Sequence, residues 1–224
     1  MCEILAVRWP DPRPFSEIAD WALAMEYYGS ARFGWGVAWL DGERVRRYRD
    51  PGSMQNDEAV TGELASVTST EFVVHFRRPT LLSTIEIADT QPFLTQREDL
   101  AFCHNGLFLE AEAYRPAFAG RLSGAADSEI GFCMVADLVD SGTAVYDALA
   151  IAHSKLGGNA NLATLDSQGA ITLYSKHERN QFYTFRLADA DIAATELHSP
   201  DESLFNLIFP GATDRAIVNE SVIL

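Results

Sequence analysis

The sequence has few cationic residues. Its 224 residues include 17 lysines and arginines against 32 aspartates and glutamates, which gives a formal net charge of −15. Nucleic acids and anionic membrane surfaces bind proteins through clustered cations, so this composition argues against both as partners. One basic segment, residues 44–49, reads Arg-Val-Arg-Arg-Tyr-Arg. Because it follows an Asp-Gly turn, we interpret it as a solvated strand.

Cysteine is also scarce, and the three in the chain are Cys2, Cys103 and Cys133. An odd number of cysteines without a signal peptide favours a reducing compartment over a disulfide framework. Charged residues interrupt the first twenty positions, so the apolar core of a signal peptide is missing there. No later apolar run approaches the ~20 residues that a transmembrane helix needs. We therefore expect a cytoplasmic protein with no membrane partner.

The chain also lacks internal repeats and low-complexity linkers. With 47% hydrophobic residues over 224 positions, we expect one domain, residues 1–224. Apolar periodicity predicts strands at residues 2–7, 34–40, 45–48, 72–76, 100–104, 161–165, 170–174 and 182–187, and helices at 14–28, 57–67, 127–139 and 144–155. The first strand is expected to stop at Trp9-Pro10, and the last three strands to form a meander. Hairpins mixed with helix pairs favour an α+β fold, with helices covering the sheets.

Cys2 is the first residue that could carry chemistry. If Met1 is removed, Cys2 becomes the N-terminal residue and presents a thiol and a free α-amine together. An α-amino group has a pKa of about 7.7–8.0, so it can accept the thiol proton near neutral pH. The resulting thiolate is a nucleophile. The alternative is a structural cysteine buried at the start of a strand.

The triplet His104-Asn105-Gly106 follows a predicted strand. Attack on an amide creates a tetrahedral oxyanion, which needs preorganised donors worth about 3–4 kcal/mol each. An Asn side-chain amide beside a Gly backbone N–H supplies two such donors, and Gly allows close approach because it has no Cβ. The alternative is a simple turn, since Asn-Gly is a common turn pair.

Charged groups could hold the two ends of a glutamyl substrate. Arg77 follows a strand, and its guanidinium could bind an α-carboxylate bidentately, with Thr80 adding a hydroxyl. Asp127 opens a predicted helix and could pair with an α-ammonium. In the alternative, Arg77 and Arg78 are surface residues in ion pairs and Asp127 is a helix N-cap.

The order of these segments resembles the class II glutamine amidotransferase domain, a member of the N-terminal nucleophile hydrolases. The resemblance runs from Cys2 to about Asp140. It rests on the initial Met-Cys, Gly34-Trp35-Gly36, residues 75–80 (His-Phe-Arg-Arg-Pro-Thr), residues 89–93 (Asp-Thr-Gln-Pro-Phe), His104-Asn105-Gly106 and Asp127-Ser128-Glu129.

The resemblance implies a four-layer αββα sandwich of two mainly antiparallel sheets. It also implies a γ-glutamyl thioester mechanism that requires no metal or other cofactor. The implied roles are the nucleophile for Cys2, the oxyanion hole for Asn105 and Gly106, the carboxylate site for Arg77 with a nearby hydroxyl from Thr80, and the ammonium site for Asp127.

This sequence departs from the family pattern at three positions. Asp89 and Gln91 stand where Asn and His are usual, and Phe33 stands where a polar residue is usual before Gly34. These changes concern the entrance and the surroundings of the site more than its reacting groups.

Three outcomes remain open at this point. The chain could release ammonia from glutamine for a separate synthetase chain. It could hydrolyse a larger γ-glutamyl amide without transfer, as does the ergothioneine-pathway amidohydrolase, which resembles this domain. It could also be a degenerate domain that only binds a small γ-glutamyl ligand.

Overall fold

The computed structural model describes residues 2–80, 82–197, 201 and 203–224. Its strands are β1 (Glu3–Pro14), β2 (Trp35–Asp41), β3 (Arg44–Asp50), β4 (Thr68–Phe76), β5 (Phe93–Leu94), β6 (Leu100–Leu107), β7 (Asn159–Asp166), β8 (Ile171–Lys176), β9 (Phe182–Leu187), β10 (Ala190–Thr195), β11 (Thr213–Ile217) and β12 (Glu220–Ile223). Its α-helices are α1 (Ser16–Tyr28), α2 (Ala111–Phe118), α3 (Asp127–Asp140), α4 (Val145–Leu156) and α5 (Ser203–Ile208).

The strands form two antiparallel sheets that face each other. The larger sheet has the order β11-β9-β10-β1-β4-β2-β3, and the smaller has the order β12-β8-β7-β6-β5. Helices α1 and α5 pack on the outer face of the larger sheet, and α2, α3 and α4 pack on the outer face of the smaller one. A third apolar cluster fills the space between the sheets. The result is the expected four-layer αββα sandwich.

Strand β1 shows how the sequence builds these layers. Successive side chains on a strand point to opposite faces. Ile4 and Ala6 accordingly enter the core between the sheets, whereas Leu5 and Val7 pack toward α1. Because both faces of β1 are covered, its run of aliphatic residues lacks the polar alternation of an exposed strand.

Most predicted elements are confirmed, including the hairpin of β2 and β3 and the helices α1, α3 and α4. The first strand is longer than expected and runs to Pro14. Proline has no N–H for a sheet ladder. The strand passes Pro10 because the pairing of β1 with β4 is irregular between Arg8 and Arg13.

Two other predictions about elements are wrong. Residues 57–67 form one short 3-10 turn, Glu58–Val60, and further turns in place of a helix, since the poor helix formers Thr61 and Gly62 follow directly. The predicted meander is split: β7 and β8 pair in the smaller sheet, whereas β9 pairs with β10 in the larger one. Among the residues described, no helix is long and apolar enough to span a membrane.

Candidate active site

Five of the six predicted site residues line one cleft of about 190 Å³: Cys2, Arg77, Thr80, Gly106 and Asp127. Cys2 immediately precedes β1, and Arg77 immediately follows β4. These two strands are neighbours in the larger sheet, and Gly106 on β6 approaches from the smaller one. The sixth residue, Asn105, is fully buried and lies in the chain between His104 and Gly106, which both line the cleft.

The Cys2 thiol is half-buried against the backbone of Arg78. The Arg78 N–H lies 3.4 Å from Cys2 Sγ, and the Arg78 carbonyl oxygen lies 3.7 Å from it. Burial raises the pKa of the Cys2 thiol to about 11. The thiol is therefore protonated near neutral pH, and a nucleophilic role requires a base. The expected base is the amine exposed by loss of Met1, and Met1 lies outside the described residues.

Arg77 presents an unsatisfied donor in this cleft. The residue is 4% exposed, and its Nη2 donates to Thr84 Oγ1 at 2.8 Å. Nη1 is buried and has no hydrogen-bond partner among the residues that the structure describes. Burial lowers the pKa of Arg77, while the charges of Asp89, Cys2 and Asp127 act in the opposite direction. A buried guanidinium with a free N–H is suited to an anionic ligand, and the surface alternative for Arg77 is wrong.

Asp127 is the first residue of α3, and the N-cap position belongs to Ala126. The alternative role of Asp127 as an N-cap is therefore wrong. Its Oδ2 accepts a hydrogen bond from the Phe108 N–H at 2.7 Å, and its Oδ1 lies 3.4 Å from Ser128 Oγ. The first bond fixes the carboxylate at the cleft wall. Its remaining lone pairs can accept from a cationic group.

Thr80 occupies the exposed rim of the cleft. The hydroxyl that contacts Arg77 belongs instead to Thr84, four residues further on. Sequence reasoning missed Thr84 because the turn that brings it back to Arg77 has no distinctive residue pattern.

Gly106 lies inside β6 and pairs with Ala160 of β7, so the Asn-Gly pair does not form a turn. Its φ of +151° is one that L-residues with a side chain rarely adopt. A Cβ at this position would also collide with the Asn159 carbonyl oxygen. Only glycine therefore fits here, next to the cleft that contains Cys2.

The Asn105 side chain is fully buried and held by a polar network. Its Nδ2 donates to Asn180 Oδ1 at 2.8 Å, while its Oδ1 has no hydrogen-bond partner within the described part of the chain. Asn161 Nδ2 donates to the same Asn180 oxygen at 3.0 Å, and Ser175 Oγ donates to Asn161 Oδ1 at 2.7 Å. This network fixes the orientation of the Asn105 amide and leaves its second Nδ2 hydrogen available.

The two unusual residues of the 89–93 segment have defined roles. Gln91 Oε1 accepts from the His104 N–H at 2.6 Å, and Gln91 Nε2 donates to the His104 carbonyl at 3.2 Å. Asp89 Oδ1 accepts from the backbone N–H groups of Ala125 and Ala126, both at 2.7 Å. Gln91 thus fixes β6 beside Asn105, and Asp89 fixes the segment that leads into Asp127. The third departure, Phe33, is a half-exposed residue whose N–H donates to the Arg77 carbonyl.

His104 is a buried part of the same wall. Its Nδ1 lies 2.9 Å from Ser128 Oγ, and its ring stacks on Phe108 at 4.0 Å between centroids. Burial lowers the pKa of His104, so the ring is uncharged near neutral pH. A neutral ring in this position supports the packing of β6 against the start of α3.

A family model for class II glutamine amidotransferases matches residues 1–199. The chain belongs to this family. Comparison with curated protein sequences found no match.

Three solved structures show the N-terminal nucleophile hydrolase fold of this family. Glutamine phosphoribosylpyrophosphate amidotransferase from B. subtilis superposes with a TM-score of 0.72 at 19% identity, over 99% of this chain and 47% of that one. A glutamine aminotransferase class-II domain protein from Silicibacter pomeroyi gives 0.61 at 20% identity, over 87% and 88%. A "predicted glutamine amidotransferase" from Pseudomonas aeruginosa PA01 gives 0.57 at 18% identity, over 99% and 96%. The chain thus spans about half the length of the phosphoribosylpyrophosphate enzyme and nearly all of the other two.

Proposed function

We propose that this family member hydrolyses the side-chain amide of glutamine or of a γ-glutamyl compound, with Cys2 as the nucleophile. The observation that carries the proposal is that three chemical groups suited to a glutamyl substrate line one cleft. The thiol of Cys2, the free buried N–H of Arg77 and the carboxylate of Asp127 all line it. A glutamyl group carries a carboxylate, an ammonium and an amide, which are the partners for these groups.

The reaction begins with loss of the thiol proton. The α-amine of Cys2 accepts this proton, and Sγ attacks the amide carbon to form a tetrahedral oxyanion. The carbon–nitrogen bond then breaks, and the leaving nitrogen takes the proton and departs as ammonia or an amine. Water attacks the γ-glutamyl thioester, which releases glutamate and regenerates the thiol.

The oxyanion would be stabilised by donors from β6. Asn105 retains one Nδ2 hydrogen beyond the one given to Asn180, and Gly106 adds its backbone N–H at the cleft. Because these donors are fixed before the reaction, they need little reorganisation when the charge develops.

We assign the whole of residues 1–224 to this one glutaminase-type domain. In support, strands from both ends of the chain join the same sheets: β1 pairs with β10, and β12 pairs with β8. The three cysteines are free thiols, which agrees with a reducing, cytoplasmic location. Hydrolysis is the function proposed, and delivery of the ammonia to a separate synthetase chain would add a later step to the same reaction.

The proposal is tested by glutamate release from glutamine and from a chromogenic γ-glutamyl anilide. Cys2→Ala should abolish turnover and keep the circular dichroism spectrum and melting temperature close to those of the unmodified protein. Cys103→Ala and Cys133→Ala are matched controls that should retain turnover. Loss of activity only in Cys103→Ala would identify a different nucleophile.

A further inference from the structure

A second and larger cleft, of about 540 Å³, lies where the edges of the two sheets come together. Its walls include Arg47 and Arg49 of β3, the edge strand of the larger sheet, and Phe93 of β5, the edge strand of the smaller one. The 89–93 segment runs between this cleft and the candidate active site. The proposed glutaminase reaction uses none of these groups.

The basic strand 44–49 divides its arginines between two faces. Arg44 and Arg46 share one face, and both pair with Glu98, at 3.2 Å and 2.7 Å. For these two, the interpretation as a solvated strand is correct. Val45 lies on the other face and enters the core between the sheets. Arg47 and Arg49 follow it on that face and are half-buried at the rim of this core.

Arg47 and Arg49 form no salt bridge with a described residue. Arg47 Nη1 donates to the Pro92 carbonyl at 3.1 Å, and Arg49 Nη1 donates to the Thr90 carbonyl at 2.5 Å. Among the described residues, no carboxylate lies within 4.0 Å of either guanidinium, although other arginines in the chain form many such pairs. Burial lowers the pKa of both groups, that of Arg49 to about 10. Repulsion from Arg47 adds to the effect on Arg49, and the charge of Glu129 opposes it.

The carboxylates in the cleft wall are already engaged. Glu129 is buried and accepts from the Ser123 N–H at 2.8 Å and from the Gly124 N–H at 2.9 Å. Asp140 pairs with Arg97 at the rim. Two half-buried cations therefore face this space without a direct ion pair to a described carboxylate, and the charge of Glu129 compensates that of Arg49 only in part. The formal net charge of the whole chain is −15. Buried cations are costly when unpaired, and an added anion would offset that cost.

We propose that this cleft binds a small organic molecule through a doubly charged oxyanion group, held by Arg47 and Arg49. Two adjacent guanidiniums match the geometry and charge of a phosphate or of a pair of carboxylates. The cleft has room for the remainder of such a molecule beside Phe93 and Phe132, whose rings stack at 5.6 Å. The site lies on the reverse side of the segment through which Gln91 holds His104.

The test is isothermal titration calorimetry with inorganic phosphate, pyrophosphate and citrate, in separate titrations at constant ionic strength. We expect saturable one-site binding of at least one probe. Preference for phosphate or pyrophosphate would indicate a phosphate ester, and preference for citrate a polycarboxylate. Arg47→Gln and Arg49→Gln should each weaken binding at least tenfold. Arg44→Gln, on the other face of the same strand, is the matched control and should bind like the unmodified chain.

Two conservative variants keep the test valid if the glutamine variants fold poorly. Arg47→Lys and Arg49→Lys preserve the charge and a donor for the backbone carbonyls, but not the planar guanidinium. They should weaken binding less than the glutamine variants. Absence of binding by all three probes, or equal binding by the Arg47, Arg49 and Arg44 variants, would overturn the proposal. This result is independent of amidase activity.

Discussion

Replacement of Arg77 by alanine tests the assignment of the glutamyl-binding end of the active cleft. Arg77 touches no reacting atom in the proposed mechanism, since it binds a carboxylate whose charge is constant throughout. An interaction that is equally strong in the ground state and the transition state changes KM more than kcat. Arg77→Ala should therefore raise KM and leave kcat nearly unchanged.

The size of the effect follows from the guanidinium hydrogen bonds. Nη1 has no partner among the described residues, and Nη2 uses one of its two hydrogens on Thr84. Three of the four Nη hydrogens therefore remain, enough for a bidentate pair of bonds to a substrate carboxylate. Hydrogen bonds to charged groups contribute about 1.5–3 kcal/mol each. Loss of about 3 kcal/mol corresponds to a rise in KM on the order of 100-fold. The free energy of unfolding should fall by less than the binding free energy, because the guanidinium that is lost is buried and incompletely paired in the free protein.

The assay is single-turnover acylation with a γ-glutamyl anilide, which separates binding from product release. Arg186→Ala is the matched control, since Arg186 forms an exposed ion pair with Asp191 on the far strands β9 and β10. Arg77→Lys keeps the charge without the bidentate geometry and should have an intermediate KM. An unchanged KM in Arg77→Ala would refute the assignment. A mispositioned substrate would also lower the acylation rate, but by less than KM rises.

Four further predictions concern other parts of the site. Asn105→Ala should lower kcat by about 10²–10³ with a smaller change in KM, measured in the same acylation assay, because its donor acts only on the oxyanion. Gly106→Ala should lose activity together with melting temperature, since the new Cβ meets the Asn159 carbonyl; normal values of both would contradict the geometry. The value of kcat/KM should rise with pH with an apparent pKa of about 8, that of an α-amine, and should be level by about pH 10. A rise that continues toward the pKa of about 11 of the Cys2 thiol would mean that no base assists. Burial raises the pKa of Glu3 to about 7, so the folded state holds a proton that the unfolded state releases from about pH 4.5 upward. The free energy of unfolding should therefore fall by on the order of 3 kcal/mol as the pH rises to about 7. Glu3→Gln should remove this fall in urea titrations at pH 5 and pH 8, and an equal fall in both proteins would contradict the role of Glu3.

The helices and the early hairpin were predictable because their signals are local. Apolar periodicity fixed α1, α3 and α4 to within one or two residues, and Asp41-Gly42 marked the turn between β2 and β3. The helix predicted at residues 57–67 does not form because Thr61 and Gly62 follow the single 3-10 turn there, and the apolar periodicity of the segment hid this interruption.

The candidate site was predictable only in part. Cys2, Arg77 and Asp127 stand out by residue type and order, and the fold brings them together. The extension of β6 through Asn105-Gly106 depends on pairing with β7, more than fifty positions away, and this pairing overrides a local turn preference. Asn180, which orients Asn105, lies 75 positions from it and belongs to no recognisable motif.

The central claim, acyl transfer to an N-terminal Cys2, is tested most directly by mass spectrometry after labelling with 6-diazo-5-oxonorleucine. This glutamine-like electrophile should add one equivalent to the protein, and the labelled peptide should begin at Cys2 with Met1 absent. Cys2→Ala should remain unlabelled, while Cys103→Ala should label like the unmodified chain. Label on Cys103, or a fully active protein that still carries Met1, would contradict the account.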